Sequence, residues 1–322
     1  MQTAPLGATG LVITRLGLGA QTIGGLGYGE QHWNQSGPAL DAYIEGGGRF
    51  IDTARGYGAS EAYVGQALAK HRLAQPRVVV CSKSGITHPP CIEGDLETTR
   101  ALLGRDSLDV YYLHVPPHEP AALDQVLSAY ERFRREGRIR HIGLSCWPLD
   151  TPESCEEVRG WIRAGRAQVI QFPYSFTRPW VGELIAEAAA AGIGCVVRQA
   201  LEGGLLSGAY RPGHRFTDTA NDGRAGVPDE RMQEVLRLVE RIRTELTDAT
   251  YRTVGDLALA YALSHPGVAA VIPGGADPEQ IRTNLAADRL PSLPEVTRRR
   301  LEEIAQPIRG LLQRDKKDRK SA

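Results

Sequence analysis

The sequence predicts a (β/α)8 barrel folded as a single domain. Three observations carry that prediction. Eight apolar or β-branched runs of strand length recur along 322 residues, and a helix-like stretch follows nearly every one. Several runs are apolar at consecutive positions, as at Val78-Val79-Val80 and Val196-Val197, the pattern of strands covered on both faces. Polar residues able to do chemistry stand where several of these runs end.

Ahead of the barrel, Ala4-Pro-Leu-Gly and Leu11-Val-Ile-Thr flank Ala8-Thr9-Gly10 and read as a β-hairpin capping one end. The barrel strands are then expected at 15–19, 50–53, 78–82, 110–114, 139–145, 169–172, 194–198 and 269–272. Helices are expected at 37–47, 60–71, 94–104, 120–136, 152–164, 180–191, 229–247 and 254–264, with extra helices toward the C-terminus. The stretch from Glu183 to Ala191 has high helix propensity, and Gly137 and Gly192 stand where helices should stop. The longest irregular stretch, 205–229, is rich in Gly, Pro, Asn and Asp, and a loop of that length in a compact domain is usually functional or mobile. The barrel is assigned to 1–308, and 309–322 is expected to be a flexible, charged tail. A doubly wound sheet is the alternative, but Gly17-Leu-Gly19-Ala-Gln-Thr lacks the third glycine of a dinucleotide-binding turn.

Composition narrows the function. Lys plus Arg and Asp plus Glu each number 38, which argues against a basic field gathering nucleic acid or acidic lipid. The balance is uneven along the chain: six basic and two acidic residues from Arg309 onward leave a mildly acidic body. Phosphates must therefore be bound by local donors. Five cysteines with no C-x-x-C fit reduced thiols in a cytoplasmic protein. Neither a secretory signal nor a membrane-spanning run is expected.

The strand ends carry the chemistry. The second run ends in Asp52, the third in Lys83 and the fourth in His114, and Tyr57 follows Asp52 in the next loop. A tyrosine phenol gives up its proton reluctantly, and a buried lysine beside it favours the ionised form. An aspartate beside the lysine keeps the ammonium charged, and a histidine can orient an oxygen by hydrogen bonding. Together they describe a proton donor to a carbonyl oxygen, with no metal required. Taken singly, Asp52 could be a helix cap, Tyr57 loop packing, Lys83 a solvated charge or a Schiff-base former, and His114 structural. Their convergence on successive strand ends favours the functional reading.

The run Phe50-Ile-Asp-Thr-Ala-Arg-Gly-Tyr-Gly-Ala-Ser-Glu61, with Val64-Gly65 after it, resembles the signature of the aldo-keto reductases. So do Ser82-Lys83, Tyr112-Leu-His114, Ile139-Arg-His-Ile-Gly-Leu-Ser145, Gln171 and Ile272-Pro-Gly274 with Gln280 and Asn284. The resemblance spans about residues 6–285 and is nearest to the bacterial and Shaker-channel-β-subunit-like branch. It implies a barrel that binds NADPH, with NADH possible, and passes hydride to a small-molecule carbonyl substrate. It implies that Tyr57 donates the proton, Lys83 favours its ionisation, Asp52 holds Lys83 and His114 orients the carbonyl oxygen. Cofactor contacts are implied at Gly19, Ala20, Gln21, Asp52, Ser145, Cys146, Gln171, Arg198, Gln199, Ala200, Leu201, Gly203, Gly204 and Ser207. At the adenosine end they are implied at Gly274, Ala276, Gln280, Thr283 and Asn284, near a helix start suited to anions. Tyr28, Trp33 and Trp147 join Tyr57 and His114 as candidate pocket walls.

Three departures from the family pattern stand out. Cys146 stands where an asparagine is common, and Arg198 where many members stack an aromatic ring on the nicotinamide. Gly274 and Gln280 replace cations, with Asp277 adding a negative charge close by. Rival functions remain: a Schiff-base enzyme using Lys83, or a cofactor-binding regulatory subunit. A metal pair at His114 and His118 is disfavoured, because Pro116 and Pro117 preclude a regular helix between them.

Overall fold

The computed structural model describes residues 1–25, 33–72, 77–146, 149–218 and 222–312. Its first element is a hairpin of β1 (Thr3–Pro5) and β2 (Val12–Thr14), antiparallel, with Thr3 opposite Thr14 and Pro5 opposite Val12. Gly10, at φ 75°, supplies the left-handed turn that only glycine adopts freely.

Eight parallel strands follow in sequence order: β3 (Leu18–Gly19), β4 (Phe50–Asp52), β5 (Val79–Ser84), β6 (Leu108–Leu113), β7 (Ile139–Ser145), β8 (Val169–Pro173), β9 (Gly194–Arg198) and β10 (Ala270–Val271). The sheet closes on itself. Gly17 N donates to Val271 O at 2.9 Å, Val271 N to Arg15 O at 2.8 Å and Gly19 N to Pro273 O at 3.1 Å. The first and last strands are shorter than their apolar runs suggested, since closure rests on single bridges at Leu16–Val271 and Gly19–Gly274. Gly17 is pinched there; a Cβ on it would lie 2.7 Å from the Phe50 ring. β4, β5, β6 and β8 are buried along their whole length, the two-faced burial that the consecutive apolar positions implied.

The helices are α1 (Trp33–Glu45), α2 (Ser60–Lys70), α3 (Pro89–Leu103), α4 (Pro120–Arg135), α5 (Glu156–Arg163), α6 (Val181–Ala190), α7 (Asp229–Leu246), α8 (Val254–Leu263), α9 (Pro278–Ala286), α10 (Glu295–Ala305) and α11 (Ile308–Leu312). α4 shows why such stretches fold. The Glu119 carboxylate accepts from Ala122 N at 2.7 Å, Pro120 fills the first turn, and Leu123, Val126, Leu127, Tyr130 and Phe133 form one buried stripe. Gly137, at φ 72°, ends it. α3 starts earlier than its apolar periodicity indicated, because Pro89 and Pro90 suit a first turn whose N–H groups are unpaired anyway. The expected helix at 152–164 divides into a 3-10 turn, Pro152–Cys155, and α5. α11 takes in Arg309 and the three residues after it, and the Arg309 guanidinium pairs with Asp150. Residues 313–322 lie outside the described residues.

Two cores result. One fills the space between sheet and helices. The other lies inside the barrel, where Phe50, Val79, Cys81, Val110, Tyr112, Val169, Val196 and Ile272 meet Leu6, Leu11 and Ile13 of the hairpin. The hairpin thus seals one end and leaves the other for chemistry. Among the described residues no helix is long and apolar enough to cross a membrane.

Candidate active site

Strand register explains how distant residues meet. Asp52 pairs with Cys81, and Lys83 lies two residues on, on the same face. Lys83 pairs with Tyr112, and His114 follows two residues later. Tyr112 pairs with Gly143, and Ser145 follows two residues later. Ser145 pairs with Gln171, and Gln171 with Val196, two residues before Arg198. All but the Ser145–Gln171 step climb two residues toward the C-terminal mouth, and every step keeps the inward face. One spiral therefore carries Asp52, Lys83, His114, Ser145, Gln171 and Arg198.

Tyr57 arrives by the loop between β4 and α2. Thr53 N and Arg55 N extend the pairing to Cys81 O and Lys83 O, each at 2.9 Å. The chain then turns, with Tyr57 N donating to Ala54 O at 3.0 Å. Ser60 anchors the far side through Thr53 Oγ1 at 2.8 Å and Ala20 O at 2.7 Å. Glu61, fully buried, accepts from Ser82 Oγ at 2.6 Å and Thr99 Oγ1 at 2.8 Å, and pairs with Arg55. Glu61 belongs to the recognised signature, yet its tethering role depends on partners on β5 and α3 that spacing does not reveal.

At the centre the Lys83 ammonium is completely buried. Its three donors go to Asp52 Oδ1 at 2.5 Å, Thr53 O at 2.9 Å and Tyr57 Oη at 3.3 Å. Burial favours loss of its proton; the Asp52 carboxylate, with Tyr57, more than offsets this and raises its affinity for the proton. An ammonium so engaged is a poor amine nucleophile, which counts against Schiff-base chemistry. Burial pushes the Asp52 carboxyl up, against the pull of Lys83 and Gln171. The Tyr57 and His114 rings meet edge to face, centroids 5.6 Å apart at 82°. Burial, then the Lys83 and Arg198 charges, lower His114 to a pKa of about 3, so it is a neutral hydrogen-bonding group at ordinary pH. Arg198, lowered by burial to about 10, keeps its charge and donates to Cys146 O at 2.5 Å. The arrangement can supply a proton from a half-buried phenol to an oxygen placed between Tyr57 and His114.

The other nominated positions ring the same mouth. Gly19 ends β3, Ala20 and Gln21 follow it, and Ala20 N donates to Asp52 O at 2.8 Å. Ser145 and Cys146 close β7, both buried, and burial pushes the Cys146 thiol well up. Gln171 Nε2 donates to Asp52 Oδ2, which leaves Gln171 Oε1 buried without a hydrogen-bond partner. Gln199 Oε1 is orphaned in the same way. Buried acceptors of this kind can take a donor from a bound molecule, and an amide NH2 such as the nicotinamide carboxamide would fit. Ala200 and Leu201 lead into a 3-10 segment, Glu202–Ser207, where Gly203 and Gly204 are left-handed and Ser207 Oγ donates to Gly204 O at 2.6 Å.

Around the start of α9, where the adenosine contacts were expected, Asn284 Nδ2 donates to Gly274 O at 2.9 Å, Gln280 Oε1 accepts from Ala276 N at 3.0 Å, and Thr283 is exposed. The start of α9 is already capped. The Asp277 carboxylate accepts from Glu279 N and Gln280 N, each at 2.9 Å. Arg282 lines a groove with Ala42 and Glu45 of α1. Among the pocket candidates, Trp33 packs on Tyr63 of α2 at 5.6 Å, while Tyr28 and Trp147 lie outside the described residues. His118 sits at the surface, its Nδ1 2.6 Å from Glu157 Oε2.

Comparison with known proteins identifies the family. The profile of the Aldo/keto reductase family matches residues 15–306. The NADH-specific methylglyoxal reductase of Escherichia coli is 31% identical, over 89% of this chain and 93% of that protein. A probable voltage-gated potassium channel subunit beta of Arabidopsis thaliana is 26% identical over 95% of the chain and 97% of that protein. Two solved structures share the fold: an aldo-keto reductase of Bacillus halodurans (TM-score 0.75, 23% identity, 95% of this chain and 97% of that one) and a glycerol dehydrogenase of Gluconobacter oxydans (TM-score 0.76, 21% identity, 94% of each). The chain belongs to the aldo/keto reductase family, whose members are NAD(P)H-dependent oxidoreductases acting on carbonyl groups.

Proposed function

We propose that the protein reduces a small aldehyde or ketone to an alcohol, using NADH in preference to NADPH. The observation that carries the reaction type is the Lys83 ammonium shared among Asp52, Thr53 O and Tyr57 Oη. The nicotinamide, when bound, supplies the hydride to the carbonyl carbon. Tyr57 Oη gives its proton to the carbonyl oxygen as that oxygen gains charge, and solvent restores the phenol afterwards. Lys83 stabilises the phenolate left behind, and Asp52 keeps Lys83 charged. His114, neutral, orients the oxygen. Gln171 Oε1, with Ser145 and Cys146, would hold the carboxamide, and the segment from Gln199 to Ser207 would cover the pyrophosphate.

The preference for NADH rests on charge. A 2′-phosphate wants cationic donors, and the α9 end offers Gln280, Thr283 and Asn284, all neutral, beside the Asp277 carboxylate. The name of the Escherichia coli relative points the same way and makes methylglyoxal the first substrate to try. Five free thiols suit a reducing compartment and support a cytoplasmic location.

Two measurements test this reading. Titration should give tighter binding of NADH than of NADPH; equal affinities would remove the preference. With methylglyoxal as substrate, Tyr57→Phe should lower turnover at least ~100-fold while cofactor affinity survives. Unchanged turnover would sink the assignment of Tyr57, and binding without turnover of any carbonyl in the unaltered protein would favour a regulatory role instead.

A further inference from the structure

The segment after β9 is built against its own backbone preference. Gln199 (φ 57°) and Glu202 (φ 44°) are the non-glycine residues with positive φ among those described, and Gly203 and Gly204 continue in the same region. Such conformations persist only where the surroundings over-determine them. Here the surroundings converge on one buried carboxylate. Glu202 accepts from Ser175 Oγ at 2.9 Å and Thr177 Oγ1 at 2.7 Å, and it pairs with Arg178. Arg309 of α11 reaches it at 3.7 Å and pairs also with Asp150, which lies 3.9 Å from Arg178 Nε. Two carboxylates and two guanidiniums thus tie together the segments after β7, β8 and β9 and fasten all three to α11. The Arg178 and Arg309 charges outweigh burial and hold the Glu202 carboxyl below its usual range.

We propose that Glu202 is a positioning residue for cofactor binding, with Arg178, Arg309 and Asp150 as its frame. The carboxylate holds the 199–207 segment in the shape the cofactor needs before the cofactor arrives. Ordering that segment then costs nothing at the moment of binding, which tightens affinity without touching the hydride or proton step. Through Arg309, α11 becomes a determinant of cofactor affinity. This rests on the reading above that the 199–207 segment covers the pyrophosphate.

The test compares Glu202→Gln, Arg309→Leu and Arg309→Lys with the unaltered protein. NADH affinity is measured by fluorescence titration, turnover of methylglyoxal at saturating NADH, and amide hydrogen exchange over residues 199–207. Glu202→Gln should weaken NADH binding on the order of tenfold and Arg309→Leu by somewhat less, with kcat of the Arg309 variant changed less than about threefold. Exchange over the segment should quicken in both, and Arg309→Lys should restore part of the affinity. If Glu202→Gln fails to fold, the two Arg309 variants decide, since Arg178 still pairs Glu202 in them. Unchanged affinity in the folded variants, or lost kcat with intact affinity, would overturn the proposal. Failure of the unaltered protein to bind either nicotinamide cofactor would instead overturn the functional reading on which it stands.

Discussion

At the scale of single residues, Lys83 and Asp52 form an ion pair with essentially no solvent around it. Removing one partner from such a pair typically costs ~3–5 kcal/mol, because the other charge stays buried and unpaired. Lys83→Met should therefore lose both turnover and stability. The double change Asp52→Leu with Lys83→Met should recover most of the stability and none of the turnover, as read by chemical denaturation beside a rate assay. Full recovery of turnover in the double variant would deny the pair a part in catalysis. His114 offers a second test. Its folded pKa of about 3 lies below the ordinary value of 6.5, so the unfolded chain takes up the proton first as pH falls. The stability tied to its neutral form is present above about pH 6.5 and is lost progressively down to about pH 3. His114→Gln should consequently lose less stability than the unaltered protein between pH 7 and pH 4. No limb near pH 6.5 in the kcat/KM profile should be traceable to His114; one that vanished in the variant would contradict its neutral state.

At the scale of elements, the Tyr57 loop is held by a backbone approach as well as by side chains. A Cβ on Gly24 would lie 1.7 Å from Tyr57 O, and one on Gly58 would lie 2.6 Å from Gly24 O. Gly24→Ala must push the loop away and carry the phenol from Lys83. A displacement near 1 Å at the reacting group can cost ~100-fold in rate, so kcat should fall by about that much while NADH binding persists. Gly56 has nothing within 4 Å of its would-be Cβ, and Gly56→Ala should be nearly silent. Equal rates in the two variants would refute the account of the loop. The same elements show what the sequence could convey. Asp52, Lys83 and His114 were legible because each ends an apolar run, and in a barrel the end of a run is the mouth. Tyr57 was legible because its signature is local. Glu61 and Glu202 were not legible as anchors, because apart from Arg55 their partners are 21 to 107 residues away and register decides whether they meet. Asp277 was read as a negative neighbour of the adenosine end. Asp277-Pro278-Glu279 is also a helix-start pattern, and the carboxylate is spent on that cap. Trp33, a candidate pocket wall, also packs on Tyr63 of the next helix, a contact that no single-residue signal foretells.

At the scale of the molecule, the barrel separates its stabilising end from its reactive end, and the hairpin makes the separation testable. Leu6 and Ile13 are fully buried in the barrel interior, whereas Val12 between them faces solvent. The backbone is seated as closely as the side chains: Ala8 N donates to Gly192 O at 2.8 Å, and a Cβ on Gly7 would lie 2.3 Å from Gly194 N. This plug touches the inner layer formed by Phe50, Val79 and Val196, while Asp52, Lys83 and Arg198 stand further along the same strands. A cavity opened at the plug should therefore be felt by the fold and scarcely by the chemistry. Leu6→Ala should cost ~2–5 kcal/mol, the range for a buried leucine truncated where neighbours cannot collapse. Val12→Ala should change stability by less than ~0.5 kcal/mol. Denaturant titration measures both, and kcat at 25 °C should match the unaltered enzyme in each, because the strands that carry Asp52 and Lys83 are held by ladder hydrogen bonds on both sides. A fall in kcat for Leu6→Ala that tracks its loss of stability would mean instead that the two ends of the barrel are coupled through its interior layers.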